Sequence, residues 1–253
     1  MHSGITDTVV TPGTADTGGT ADVTDTNGAA HAVGALSGRP KTAVVFDLDG
    51  VIVDSFAVMQ EAFSLAYAEV VGAGTAPFEE YEHHLGRYFP DIMKIMGLPL
   101  EMEGPFVRES HRLAGRARIY PGVLPLLGEL RRRGVRSAIA TGKAGERARY
   151  LLGRLGVLSC FDHVLGSDEV ARAKPAPDIV LRALELLDAR PEDAVMLGDA
   201  VTDIQAAQAA GVDAAAALWG TRDRAELLAS GPDAVLRQPS DLLALCAAAV
   251  ERA

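Results

Sequence analysis

Five short apolar runs recur along this chain, at residues 42–46, 137–140, 163–165, 194–197 and 214–218, separated by stretches with helical periodicity. Runs of this length, rich in Val, Ala, Leu and Ile and without polar alternation, fit strands covered on both faces. Between them, Val123, Leu126, Leu127 and Leu130 follow i, i+3, i+4, i+7 spacing, with Gly134 just past the end. Val180, Ala183, Leu184 and Leu187 repeat it, and Leu242, Leu245, Cys246 and Ala249 extend it toward the C-terminus. Such stripes are core faces of helices. Strands that alternate with helices imply right-handed crossovers. The expected fold class is therefore α/β, a Rossmann-like, three-layer, doubly wound parallel sheet.

One stretch breaks the alternation. Residues 55–118 contain no convincing strand, and helices are expected over 56–71, 77–85, 89–96 and 102–117. We read this stretch as an α-helical cap domain inserted after the first strand, with 41–54 and 119–253 forming the catalytic core. Residues 1–40 are rich in Gly, Thr, Ala and Asp and carry no Lys or Arg before Arg39. They are expected to be a disordered leader, because they bury too little apolar surface to offset the entropy of ordering.

The bulk properties exclude some classes of function. The 253-residue chain is 48% hydrophobic, enough for a sizeable core, and its formal net charge of -10 argues against a nucleic-acid partner. No apolar run approaches the roughly 20 residues that span a bilayer, and no basic-then-apolar leader opens the chain, so no membrane partner and a cytoplasmic location are expected. Cys160 and Cys246 lie in apolar surroundings and read as reduced core cysteines. A monomer or a homodimer is expected.

The chemistry sits where the strands end, the position at which open parallel sheets bind ligands. The first run ends in Asp47-Leu48-Asp49-Gly50. Two carboxylates on the lip of a buried strand are costly unless a cation or hydrogen bonds compensate them. Gly50 allows a tight turn; the same letters also make ordinary turns and calcium loops. Thr141-Gly142 ends the second run and suits a phosphate oxygen, or a simple helix N-cap. Lys174 precedes Pro175 and Pro177, an extended segment that frees its ammonium to point inward, or a plain loop lysine before a helix. Asp199 ends the fourth run and Asp203 follows one helical turn later, so both carboxylates can face one cation. Oxygen donors of this kind suit magnesium, whereas a lone Asp203 would merely favour the helix dipole.

The order and spacing of these four motifs resemble the haloacid dehalogenase-like superfamily, over the whole of Lys41 to the C-terminus. The resemblance implies that Asp47 is a nucleophile forming an aspartyl-phosphate and that Asp49 is the general acid and base. It implies that Leu48, Thr141, Gly142 and Lys174 hold the phosphoryl group, and that Asp47, Asp49, Asp199 and Asp203 ligate Mg2+. An aspartate at position 49 argues against dehalogenases and carbon–phosphorus hydrolases, leaving phosphatase or phosphomutase. The helical insertion resembles the cap of phosphoglycolate phosphatase-like and β-phosphoglucomutase-like members. There the matching segment around His84, Gly86 and Arg87 would read the leaving group, or else present solvated cap residues. Residues 55–63, 84–92 and 95–99 further resemble the phosphatases of gene clusters that make 3-amino-5-hydroxybenzoate, the ansamycin starter unit. The expectation is a magnesium-dependent phosphatase of a small phosphorylated metabolite, a sugar or aminosugar phosphate in antibiotic biosynthesis. The alternatives are a sugar phosphomutase and a non-catalytic scaffold.

Overall fold

The computed structural model describes residues 38–248. The expectations for residues 1–37 and for Ala249 lie outside the described residues. Strands β1 (Ala43–Phe46), β4 (Arg136–Thr141), β5 (His163–Gly166), β6 (Ala194–Gly198), β7 (Asp213–Ala217) and β8 (Ala234–Leu236) form one sheet in the order β5-β4-β1-β6-β7-β8. Every neighbouring pair is parallel, and β1 lies in the middle, in register from Ala43 opposite Arg136 and Ala194. The doubly wound expectation holds, with one strand more than the apolar runs reveal. Strand β8 is only three residues long and its Val235 is half-buried, so it carries a weak hydrophobic signal.

Side-chain alternation along the strands builds two cores. Val44 and Phe46 of β1, with Val195 and Leu197 of β6, point to one face of the sheet, while Ala43, Val45 and Met196 point to the other. The first face is covered by α5 (Val123–Arg132) and α6 (Gly145–Arg154), the second by α7 (Asp178–Leu186), α8 (Val201–Ala209) and α9 (Arg224–Ala229). This is the three-layer arrangement. The stripe expected to make a C-terminal α-helix instead forms a 3₁₀ turn, Pro239–Ala244, after which Cys246 bridges to Lys41. Leu242, Leu245 and Cys246 are buried all the same, so the periodicity reports burial correctly and the element wrongly.

Between β1 and β4 the chain is helical, as expected: α1 (Phe56–Val70), α2 (Phe78–Glu82), α3 (Phe89–Met96) and α4 (Glu103–Leu113). A two-residue antiparallel ribbon, β2 (Val53–Asp54) against β3 (Arg118–Ile119), gathers the two ends of this segment. Its interior is aromatic. Phe63 packs on Phe78 and Tyr81, and Phe89 stacks on Phe106 with ring centroids 4.2 Å apart. This cluster is continuous with the first face of the sheet. Among the described residues no helix is long and apolar enough to cross a membrane.

Because the two parts share one core, the protein should unfold in a single transition. Phe63 is fully buried, and Phe63→Ala should cost about 3–5 kcal/mol in urea denaturation. Leu124→Ala, at a position 52% exposed, should cost less than about 0.5 kcal/mol. A second transition in the Phe63→Ala variant would show that the helical segment is energetically separate.

Candidate active site

The carboxyl ends of β1, β4 and β6 converge on one buried lysine. Lys174 lies in the loop before α7, is 2% exposed, and is joined to Pro175 by a cis peptide bond. Its ammonium donates to Asp47 Oδ1 at 2.8 Å, to the Ala140 carbonyl at 3.1 Å and to Asp203 Oδ1 at 2.6 Å. All three protons of the ammonium are thereby used. Burial opposes its charge, but Asp203 and Asp47 outweigh burial and hold the Lys174 pKa above its ordinary value.

Asp47, Asp199 and Asp203 bring carboxylate oxygens within 4.8 Å of one another. Burial first, then repulsion from Asp203 and Asp49, pushes the Asp47 carboxyl up to about 7 despite the Lys174 ammonium. Asp199 is raised well above the usual carboxylate range by burial and by Asp47 and Asp203. The rise of Asp47 and the rise of Lys174 look opposed, since a good ion pair should lower the acid. They agree once the whole cluster is counted: one ammonium serves three carboxylates, and the deficit in positive charge falls on the acids. A hard divalent cation ligated by oxygen would make up that deficit, so the donor set fits such an ion.

Asp49 has a different setting. Its carboxylate accepts from the Ser55 hydroxyl and pairs with Lys143 Nζ at 2.9 Å. Burial opposes its charge, yet Lys143, Ser55 and Arg147 outweigh burial and hold its pKa below the ordinary value. The Asp49 carboxylate is turned toward Lys143 and lies outside the cluster formed by Asp47, Asp199 and Asp203. Gly50, next in the chain, has φ +82°, and a Cβ there would collide with the Asp199 carboxylate. The turn after the two aspartates thus admits only glycine, by conformation and by space.

Above the acids lies a cavity of about 470 Å³. Asp47, Asp49, Thr141, Gly142 and Asp199 line it from the sheet side, and Gly86 and Arg87 from the helical segment. Thr141 closes β4 and is not a helix cap, since α6 begins only at Gly145; its hydroxyl accepts the Lys143 backbone N–H at 3.2 Å. A Cβ on Gly142 would sit 2.5 Å from the Gly86 carbonyl and 2.8 Å from that of Arg87. The helical segment therefore rests directly on the loop that follows β4. Lys174 and Asp203 lie beneath the cavity floor, the Leu48 side chain is fully buried, and His84 does not line the cavity. Lys143, Arg147, Tyr81, Trp219 and Arg222 also line it, and all five lie outside the four sequence motifs. Lys143 directly follows Thr141-Gly142 at the end of a strand, a position that marks it, whereas Arg147 sits in the first turn of α6 with no local pattern to mark it. Trp219 donates to the Val51 carbonyl at 3.0 Å, a contact between distant segments that no local pattern encodes.

The raised acid has a consequence for stability. An unfolded Asp titrates near 3.8 and folded, metal-free Asp47 near 7, so between those values the native state holds the extra proton. Stability from this group is present at the acid end and is lost as pH rises through that window. Melting curves of wild-type and Asp47→Asn protein in chelator, stepped from about pH 5 to about pH 8, should show the wild type losing ground to the variant, and excess Mg2+ should abolish the loss. Parallel curves for the two proteins would contradict the charge deficit.

The comparisons with known proteins agree with this geometry. The haloacid dehalogenase-like hydrolase family matches residues 41–211. Phosphoglycolate phosphatase of Aquifex aeolicus is 30% identical over 205 residues, covering 80% of this chain and 95% of that protein. Tyrosine-protein kinase PtkA of Mycobacterium tuberculosis is 32% identical over 187 residues, covering 72% of this chain but only 64% of the relative. The crystal structure of CbbY from Rhodobacter sphaeroides in complex with phosphate superimposes with a TM-score of 0.70 at 26% identity, covering 80% and 96% of the two chains. With the acidic floor, the buried lysine and this match over most of its length, the chain belongs to the haloacid dehalogenase-like hydrolase family, as a phosphatase acting on phosphoric monoesters.

Proposed function

We propose that the chain is a magnesium-dependent phosphatase of a small metabolite, in which Asp47 carries the phosphoryl group between substrate and water. The observation that supports this reading best is the juxtaposition of Asp47, Asp199 and Asp203 around Lys174 at the carboxyl ends of three strands. Asp47, Asp199 and Asp203 would hold the cation, which supplies the positive charge that lets a carboxylate approach a phosphate dianion. Lys174 fixes Asp47 from below and shares in that neutralisation. An Asp47 oxygen attacks phosphorus while the ester P–O bond breaks, and Asp49 gives its proton to the departing oxygen. In the second step water attacks phosphorus, the P–O bond to Asp47 breaks to free its carboxylate and inorganic phosphate, and Asp49 accepts the water's proton, the one it gives to the departing oxygen in the next cycle. The ion pair with Lys143 and the hydrogen bond from Ser55 favour the ionised Asp49 that this second step requires.

The leaving group is read by the helical segment, which we take to be a cap domain. Ser55, Phe56, Met59, Gly86, Arg87 and Ile92 line the cavity, and they belong to the stretches that resemble the phosphatases of 3-amino-5-hydroxybenzoate clusters. That supports a sugar-sized phosphate as substrate, in a cavity of the size class of small-ligand sites. The protein is taken to work in the cytoplasm.

The test is phosphate release from a panel of sugar phosphates and from p-nitrophenyl phosphate. Release should require Mg2+ and stop on chelation. Asp47→Asn should lower kcat by about a thousandfold or more with an unchanged far-UV spectrum. Isomerised sugar phosphate without free phosphate would make the protein a mutase, and transfer to protein tyrosine would align it with the PtkA relative. No phosphoryl chemistry from well-folded protein would remove the reading.

A further inference from the structure

One buried cation of the cavity wall has no carboxylate at ion-pairing distance among the described residues, and burial outweighs the more distant Asp49 and Glu103. Arg147, on α6, is 7% exposed and lines the cavity. Its one hydrogen bond runs from Nη2 to the Ser110 hydroxyl at 3.4 Å, at the outer limit for such a bond. Nε is buried and makes none, and the guanidinium lies over the Phe106 ring, 4.6 Å from its centroid. Among the described residues it forms no ion pair. The other buried cations of the site differ: Lys174 is paired with Asp47 and Asp203, and Lys143 with Asp49.

A guanidinium stays charged at any working pH, and burying it without a contact ion pair is costly. An aromatic face and one long hydrogen bond return only part of that cost. A small cavity of about 20 Å³ behind it, lined by Ser110 and His111, is sized for one water, which brings a dipole and no charge. A site selected to keep this residue uncompensated gains only if a ligand supplies the missing anion. The position identifies which part of the ligand. Arg147 packs on Phe106 and bonds Ser110, both of the helical segment taken to read the leaving group, and it lines the cavity there together with Phe89 and Ile92. Arg87 of the helical segment also lines the cavity and forms no ion pair among the described residues.

We propose that Arg147 receives an anionic group on the leaving part of the substrate, a carboxylate that matches the guanidinium fork. The substrate class is then the phosphate ester of a small hydroxy acid or sugar acid. This rests on the phosphatase reading and narrows it, because the ammonium of an aminosugar would be repelled where a carboxylate is held. Two parallel N–H···O bonds in a site walled by Phe89, Phe106 and Tyr81 would strengthen the contact beyond its value in water.

Matched esters test the proposal: phosphoglycolate against 2-hydroxyethyl phosphate, 3-phosphoglycerate against glycerol 3-phosphate, and 6-phosphogluconate against glucose 6-phosphate and glucosamine 6-phosphate. In at least one pair the carboxylate ester should have a kcat/KM roughly tenfold or more above its neutral partner. Arg147→Gln should erase that ratio and Arg147→Lys should restore part of it. Equilibrium binding of the same pairs to the Asp47→Asn protein, with and without Arg147→Gln, measures the preference without turnover. If no ester is hydrolysed but the binding preference is present and depends on Arg147, the phosphatase reading fails and the anion site stands. Equal kcat/KM and equal binding within every pair, or a preference that survives Arg147→Gln, would overturn the proposal.

Discussion

Three strands of this protein are useful only because a lysine from a fourth segment joins them. Lys174 reaches under the sheet end and bonds Asp47 at the tip of β1, the carbonyl of Ala140 in β4, and Asp203 at the start of α8 after β6. Coulomb attraction in a buried setting gives these contacts their strength, and the same burial makes the unmatched acids expensive. The cluster is thus stable enough to hold its shape and short enough of positive charge to take up a cation. Shape and affinity come from one arrangement of charges.

Two aspartates in a single turn illustrate how neighbours divide labour. Asp47 and Asp49 are two residues apart, yet the first is pushed toward its neutral form and the second toward its ionised form. The difference lies in partners. Asp47 shares one ammonium with two other acids, whereas Asp49 has Lys143 and the Ser55 hydroxyl to itself. A cation would reverse the bias at Asp47, which is the protonation state that a nucleophile needs.

Much of the layout was legible beforehand because the sheet is buried on both faces and its strands are plain apolar runs. β1, β4, β5, β6 and β7 were found within a residue or so at each end, and α3 in full. The strand β8 and the ribbon β2–β3 were not, since two or three residues carry too little pattern. The last stripe has the period of an α-helix, but Pro239 opens a 3₁₀ turn there. At the site, the four motifs were visible as polar residues at strand ends. The pairing of Lys143 with Asp49, the bare Arg147 and the closure of Gly86 onto Gly142 depend on how the helical segment lies over the sheet. That placement is a tertiary fact, with no local period to announce it.

The middle position of β1 has a bearing on how the chain is made. Its backbone is held by β4 on one side and β6 on the other, and Lys41, just before it, is pinned between the carbonyl of Leu245 and the N–H of Ala247. The ribosome delivers β1 long before any of these partners. Throughout that interval an Ala-Val-Val-Phe segment has no edge to pair with, the condition in which nascent chains stick to one another or engage chaperones. The strand that ends at Asp47 is made before every strand it pairs with and is among the last to be secured.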